Sequence, residues 1–167
     1  VLYQGDARAI VKSNLWLRSA DRVKLVVGRF YATTFEQLFD KTKDIPWENF
    51  ISENGQFPVQ GRSLKSKLFS VPDCQAIVKK AIVERLKKAH NKQGWLSESG
   101  ALYKVEVAIL KDEVLLTIDT SGAGLHKRGY RLAQGEAPMK ETLAAALVLL
   151  SNWKGETPFI DPFCGSG

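Results

Sequence analysis

The sequence predicts an α+β fold. Three observations carry it. Runs rich in β-branched and aromatic residues occupy 22–32, 102–110 and 113–119, as strands require. A long amphipathic helical pattern covers 70–92. The front of the chain reads helix, strand, helix, which suits a small α+β unit. With 167 residues, 44% hydrophobic and 25% charged, there is enough apolar material for one ordinary domain or two small ones. The net charge of +6 and pI of about 9.3 point to a polyanionic partner. Cys74 and Cys164 share no metal-type spacing, and a reducing, cytoplasmic setting is the simpler reading. The longest apolar run, "LAAALVLL", is far short of the roughly 20 residues a membrane span needs.

Taken in order, "ARAIVKSNLWLR" (7–18) reads as a helix capped by Asp6, with Ile10, Leu15 and Leu17 among polar positions. "RVKLVVGRFYA" (22–32) is a strand with Gly28 as a candidate bulge. "TFEQLFDKTK" follows as a helix with capping-box spacing between Thr34 and Gln37 and an apolar face of Phe35, Leu38 and Phe39. "DIPWENFISENG" (44–55), punctuated by Pro46 and Gly55, is expected to link two units. "QFPVQGRS" is a short strand. In 70–92, Ser70 and Asp73 form a capping-box-like start, Pro72 sits in the first turn, and Val78, Ile82, Leu86 and Ala89 line the core side. "LYKVEVAIL" and "EVLLTID" form a hairpin around "KDE". A Gly-rich basic loop (120–131) precedes "APMKETLAAALVLLSNW" (137–153), a helix apolar nearly all round and expected to be buried between layers. "TPFIDP" is the final strand. The chain opens on patterned sequence without a methionine and closes on a small-residue loop, which fits a piece of a longer protein.

Two basic segments are candidate binding surfaces. From 63 to 92, Lys65, Lys67, Lys79, Lys80, Arg85, Lys87, Lys88 and Lys92 face only Asp73 and Glu84, a surplus of six, equal to that of the whole chain. Charge concentrated in this way suits phosphate tracking, since each neutralised phosphate releases counterions. A solvated lysine face that keeps the protein soluble is the other reading. In "GLHKRGYR", Gly124 and Gly129 bracket Lys127 and Arg128, with Tyr130 and Arg131 behind. Glycines allow close backbone approach, arginines bind phosphate bidentately, and an aromatic can stack on a base. A tight interdomain turn whose arginines pair with nearby carboxylates is the other reading, fitting Arg131 at least as well and Lys127 and Arg128 less well. His90 suits the carboxyl end of its helix, and His126 is either structural or an RNA contact. Neither has a metal-site partner. The last strand followed by Asp161 and a Gly-rich turn has the layout of a nucleotide cradle, although such a turn is often no more than a turn.

The string "DPFCGSG" resembles motif I of the S-adenosylmethionine-dependent RNA methyltransferases that carry an amino-terminal THUMP domain. "SKLFSVPDCQAIVKKAIVERL", "LLTIDTSGAGLHKRGYR" and "APMKETLAAALVLLSNW" are similar to stretches of the bacterial branch that methylates guanine N2 in 23S ribosomal RNA, the RlmL/YpsC-like group. The resemblance spans roughly 60–167. It implies most of a ferredoxin-like lead-in over 1–50, a THUMP RNA-binding domain over 51–131, and the first helix and strand of a Rossmann-like methyltransferase domain over 132–167. It implies that Asp161, Pro162, Cys164, Gly165, Ser166 and Gly167 line the methionine end of S-adenosylmethionine, with Thr142 as a further contact. Lys65, Lys67, Lys80, Lys87, Lys88, Lys127, Arg128 and Arg131 are then the expected RNA contacts. The family's catalytic tetrapeptide (Asn or Asp, Pro, Pro, aromatic) does not occur in the chain, so this segment is expected to bind RNA without methylating it. A stand-alone RNA-binding module is a second reading. A DNA amino-methyltransferase is a third, disfavoured by the THUMP-like half.

Overall fold

Strand-forming stretches need partners for their backbone N–H and C=O groups, and here one four-stranded sheet supplies them. The computed structural model describes residues 1–129 and 139–164. Two units divide the chain, one of residues 24–119 and one of residues 1–23 with 120–167.

In the first unit the strands β1 (Lys24–Tyr31), β2 (Val59–Leu64), β3 (Val105–Leu110) and β4 (Glu113–Asp119) lie in the order β1-β4-β3-β2. β4 is antiparallel to both neighbours, and β2 runs parallel to β3. A parallel pair needs a crossover. The helix α3 (Val71–Ala89) provides it, and the helix α2 (Phe35–Lys43) packs beside it. Register and burial agree residue by residue. Val105, Val107 and Ile109 face Ile118, Leu116 and Val114 across the β3–β4 ladder, and all six are buried. Val78, Ile82 and Leu86 of α3 join the same core, with Cys74 beside them, whereas Ala89 is exposed.

The expected bulge is present: the β1–β4 register shifts between Val26 and Gly28. A Cβ on Gly28 would run into Ile45 Cδ1, so the position favours a bare backbone. β3 and β4 are joined by Lys111 and Asp112, both in the left-handed region (φ 51° and 65°), as a two-residue type I′ turn demands. Gly61 lets α3 approach β2, since a Cβ there would meet Gln75 Cγ at 2.9 Å and Val71 Cγ1 at 3.1 Å. At α2, Thr34 accepts from Gln37 N while Gln37 Oε1 accepts from Thr33 N, one residue before the cap. The start of α3 differs from the capping box expected of it. Ser70 Oγ donates to Asp73 Oδ2 at 2.5 Å, a side-chain pairing that leaves the first-turn amides uncapped.

The expected connector at 44–55 is part of this core. Trp47 opens a 3₁₀ turn (Trp47–Asn49), is fully buried, and donates from Nε1 to the carbonyl of Thr42 at 2.7 Å. Ile51 is buried as well. Residues 24–50 therefore share one interior with 51–119.

The second unit holds α1 (Ala7–Trp16), capped as expected by Asp6, whose Oδ1 accepts from Ala9 N. It also holds α4 (Glu141–Leu150). α4 differs from the helix expected to lie between layers. Thr142 is its one buried residue, and Leu143, Leu147, Leu149 and Leu150 are exposed, because among the described residues no element lies over them. Residues 157–162 form no strand, since no described strand pairs with them. Trp153 stacks obliquely on Phe159 (centroids 5.4 Å apart) and donates to the carbonyl of Thr157. Arg131, Gly165, Ser166 and Gly167 lie outside the described residues.

Candidate nucleic-acid interface

The basic stretch divides cleanly by ion pairing. Lys79 donates to Glu98 at 2.6 Å with its ammonium 3.6 Å from the centre of the Phe57 ring. Arg85 grips Glu48 through Nε and Nη2 at 2.9 and 2.5 Å. Lys92 pairs with Glu53 at 2.7 Å. The other five cations, Lys65, Lys67, Lys80, Lys87 and Lys88, have no carboxylate within ion-pairing distance among the described residues. Lys80, Lys87 and Lys88 follow i, i+7, i+8 spacing on one side of α3. Lys80 is placed by an aromatic instead, 5.7 Å from the centre of the Phe39 ring. Arg85 holds the Glu48 carboxyl down to about 2, well below the ordinary value, with a smaller favourable contribution from His90. His90 N–H also closes the end of α3 on the carbonyl of Leu86.

Lys65 and Lys67 lie on the loop between β2 and α3. This loop is bound to the β3–β4 turn. Lys67 N donates to Asp112 Oδ1 at 2.7 Å, Asp112 N to Ser66 Oγ at 3.1 Å, and Lys111 N to the carbonyl of Leu64 at 3.2 Å. The same loop carries Phe69, 82% exposed, which sequence reasoning passed over. Its apolar type and helix-start position gave no sign of exposure, because the buried neighbour Leu68 fills the core place.

In the second unit Lys127 is exposed. Arg128, expected to meet phosphate, instead donates to four backbone carbonyls. Nε reaches Leu125, Nη1 reaches Leu15, and Nη2 reaches Asn14 and Leu17, at 3.1, 2.6, 2.9 and 2.7 Å. Four of its five N–H donors are engaged in this way, which leaves one for any ligand. Gly124 is needed for space: a Cβ there would stand 2.6 Å from His126 Cε1. His126 Nδ1 lies 3.9 Å from Asp21 Oδ1.

Thr142, the further cofactor contact implied by the resemblance, donates its hydroxyl to Asp21 Oδ1. Lys140 reaches Asp21 Oδ2 at 3.1 Å. The Thr142 bond, more than Lys140, holds the Asp21 carboxyl below its ordinary value. Beside them lies a cavity of about 430 Å³ lined by Arg18, Leu125, Glu141, Thr142 and Ala145. Glu141 Oε2 is buried and has no hydrogen-bond partner among the described residues. Asp161 accepts from Phe163 N at 2.9 Å, which shapes the turn holding Pro162 and leading to the exposed Cys164. Among the described residues no group of three His, Cys, Asp or Glu is placed to hold a metal, and no helix is long and apolar enough to cross a membrane.

Comparison with known proteins gives the same division. The family model for the THUMP domain matches residues 32–119. That for the RlmL ferredoxin-like domain matches 1–24, and that for the RMKL-like methyltransferase domain matches 128–167. "Putative RNA methyltransferase YpsC" of Bacillus subtilis (strain 168) is 63% identical over 168 residues, which cover 100% of this chain and 44% of that protein. The structure of a "predicted N6-adenine-specific DNA methylase" from Listeria monocytogenes str. 4b F2365 is 67% identical with a TM-score of 0.90, over 96% of this chain and 42% of that one. SMU.472, "a putative methyltransferase complexed with SAH", is 50% identical with a TM-score of 0.89, over 96% and 43%. The chain thus spans less than half the length of these relatives. With the THUMP model matched over more than half of its length, the chain belongs to the THUMP-domain family.

Proposed function

We propose that the chain is the RNA-gripping part of an S-adenosylmethionine-dependent RNA methyltransferase whose target is the exocyclic N2 of a guanine in 23S ribosomal RNA. The observation that carries the RNA-binding role is the division of the basic stretch. Three of its cations are matched to carboxylates, and the five on the α3 side and its preceding loop are left for an external anion. A merely solubilising surface has no need of that segregation. The guanine-N2 and 23S assignments rest on the ordered blocks of family resemblance, and a cytoplasmic location follows from them.

The residues present fit the methyl donor. The buried, unpartnered Oε2 of Glu141 beside the 430 Å³ cavity is a ready acceptor for a cationic group, such as the amine of a methionine moiety. Thr142 sets the wall of that cavity through Asp21. Asp161, Pro162 and Cys164 belong to the turn against which the donor would lie, and the motif that the resemblance assigns to the donor continues in sequence through Gly165, Ser166 and Gly167. When bound, the donor contributes a sulfonium methyl that is already activated, so what remains for the protein is placement.

The relative named for DNA adenine methylation acts, by that name, on an exocyclic amine too; the THUMP domain favours RNA here. The test is transfer of labelled methyl by the intact protein, offered ribosomal RNA transcripts and duplex DNA, with digestion to nucleosides. Label in N2-methylguanosine from RNA is expected. Label confined to adenine in DNA would overturn the reading.

A further inference from the structure

One end of the sheet carries features that the lysine face of α3 leaves unused. There the β2–α3 loop and the β3–β4 turn are fastened together by three hydrogen bonds among Leu64, Ser66, Lys67, Lys111 and Asp112. Phe69 is presented from this support 82% exposed, and among the described residues no ring or cation covers it. Leu64, at the end of β2, is 61% exposed. Lys65, Lys67 and Lys111 are exposed on the same two segments and have no carboxylate partner among the described residues. The acids of this end are occupied. Asp112 accepts from Lys67 N, Asp73 from Ser70 Oγ, and Glu113 pairs with Arg29 at 2.6 Å.

An exposed aromatic on a loop fastened by hydrogen bonds, with free ammonium groups on the same loop and on the turn bound to it, is an arrangement suited to single-stranded nucleic acid: bases stack on the ring, and the cations follow the backbone. We infer that this end of the sheet is a stacking platform for an unpaired RNA base, with Phe69 as the ring and Lys65, Lys67 and Lys111 as contacts to the flanking phosphates. The inference rests on the RNA-binding reading and extends it. Paired RNA lies along the α3 lysines, and an unpaired nucleotide next to it is captured at Phe69. A protein partner is the poorer fit, because three unneutralised lysines on the two segments that carry one exposed aromatic favour a polyanion.

The test compares two RNAs of equal charge binding to the intact protein, a blunt hairpin and a hairpin with a single-stranded extension carrying 2-aminopurine. Stacking quenches the fluorophore. Phe69→Ala is expected to weaken the extended RNA about tenfold and abolish the quench, with about a twofold or smaller effect on the blunt hairpin. Phe69→Trp is expected to retain both. Since Phe69 is exposed, the thermal transition should not move. Equal losses for the two RNAs, or none, would overturn the platform and leave the RNA reading standing. Failure of the wild-type protein to bind either RNA would overturn both.

Discussion

Arg128 Nη1 donates to the backbone carbonyl of Leu15 at 2.6 Å, across 113 residues of sequence. Its other donors reach Asn14 and Leu17, so the guanidinium closes the last turn of α1, where helix carbonyls lack partners of their own. A planar fork of five donors suits this task as it suits phosphate, and the sequence pattern, which pointed Arg128 toward phosphate, carried no sign of the helix end it closes. A cation at a helix carboxyl end also meets the negative pole of the dipole.

Arg128→Ala is therefore expected to act on folding rather than on RNA. Losing charge-assisted bonds to several carbonyls should cost on the order of 1–3 kcal/mol. Faster amide hydrogen exchange over 7–16 would report it, with the salt dependence of RNA binding unchanged. Arg128→Lys should not rescue, since one ammonium cannot span three carbonyls.

Trp47 provides a second folding test, because it decides whether 44–55 is connector or core. Trp47→Phe removes the Nε1 bond and leaves the Thr42 carbonyl without that buried donor, a loss of about 1–2 kcal/mol. Trp47→Ala adds a cavity and should reach about 3–5 kcal/mol. Urea unfolding measures both, and a connector tryptophan would show neither.

How far the sequence could be read depends on the range of each interaction. The hairpin around Lys111 and Asp112, the bulge at Gly28 and the apolar stripe of α3 are local patterns, visible within a few residues. The burial of Trp47, the carbonyl targets of Arg128 and the bond between Thr142 and Asp21 depend on segments brought together by folding. The lysine stretch was half legible. Its charge could be counted, but which lysines stay unpaired depends on where Glu48, Glu53 and Glu98 arrive. The apolar composition of α4 suggested burial, yet composition states what a helix can bury against, not what covers it.

Glu48 should leave a mark on acid stability. Its folded value of about 2 lies below the ordinary 4.5, so the bond to Arg85 stabilises fully above pH 4.5 and is lost as pH falls toward 2. Glu48→Gln should thus lower stability at pH 7 by on the order of 1 kcal/mol after allowance for solvent, read as a lower melting temperature. The difference from wild type should shrink at pH 3. A constant difference across that range would assign the loss to packing.

Lys111 links stability to binding with opposite signs. Its left-handed backbone (φ 51°) suits Asn better than Lys. Lys111→Asn should raise stability by a few tenths to about 1 kcal/mol. Affinity for RNA with a single-stranded extension should fall, because a phosphate contact is lost. Gain of stability with unchanged affinity would remove Lys111 from the interface while leaving the turn chemistry intact.

The lysine face of α3 makes the broadest prediction. If Lys80, Lys87 and Lys88 each neutralise a phosphate, changing all three to Ala should reduce the slope of log affinity against log salt by about 2–3. The decisive control lies on the same helix. Lys79 is already matched to Glu98, and it donates to the carbonyl of Phe57 as well. Lys79→Ala should leave the slope nearly unchanged, whatever it does to stability. A general effect of net charge would lower the slope in proportion to the number of lysines removed, at either place. An interface formed by unpaired cations responds only where the carboxylates are absent, so the two substitutions together separate a binding surface from a solubilising one.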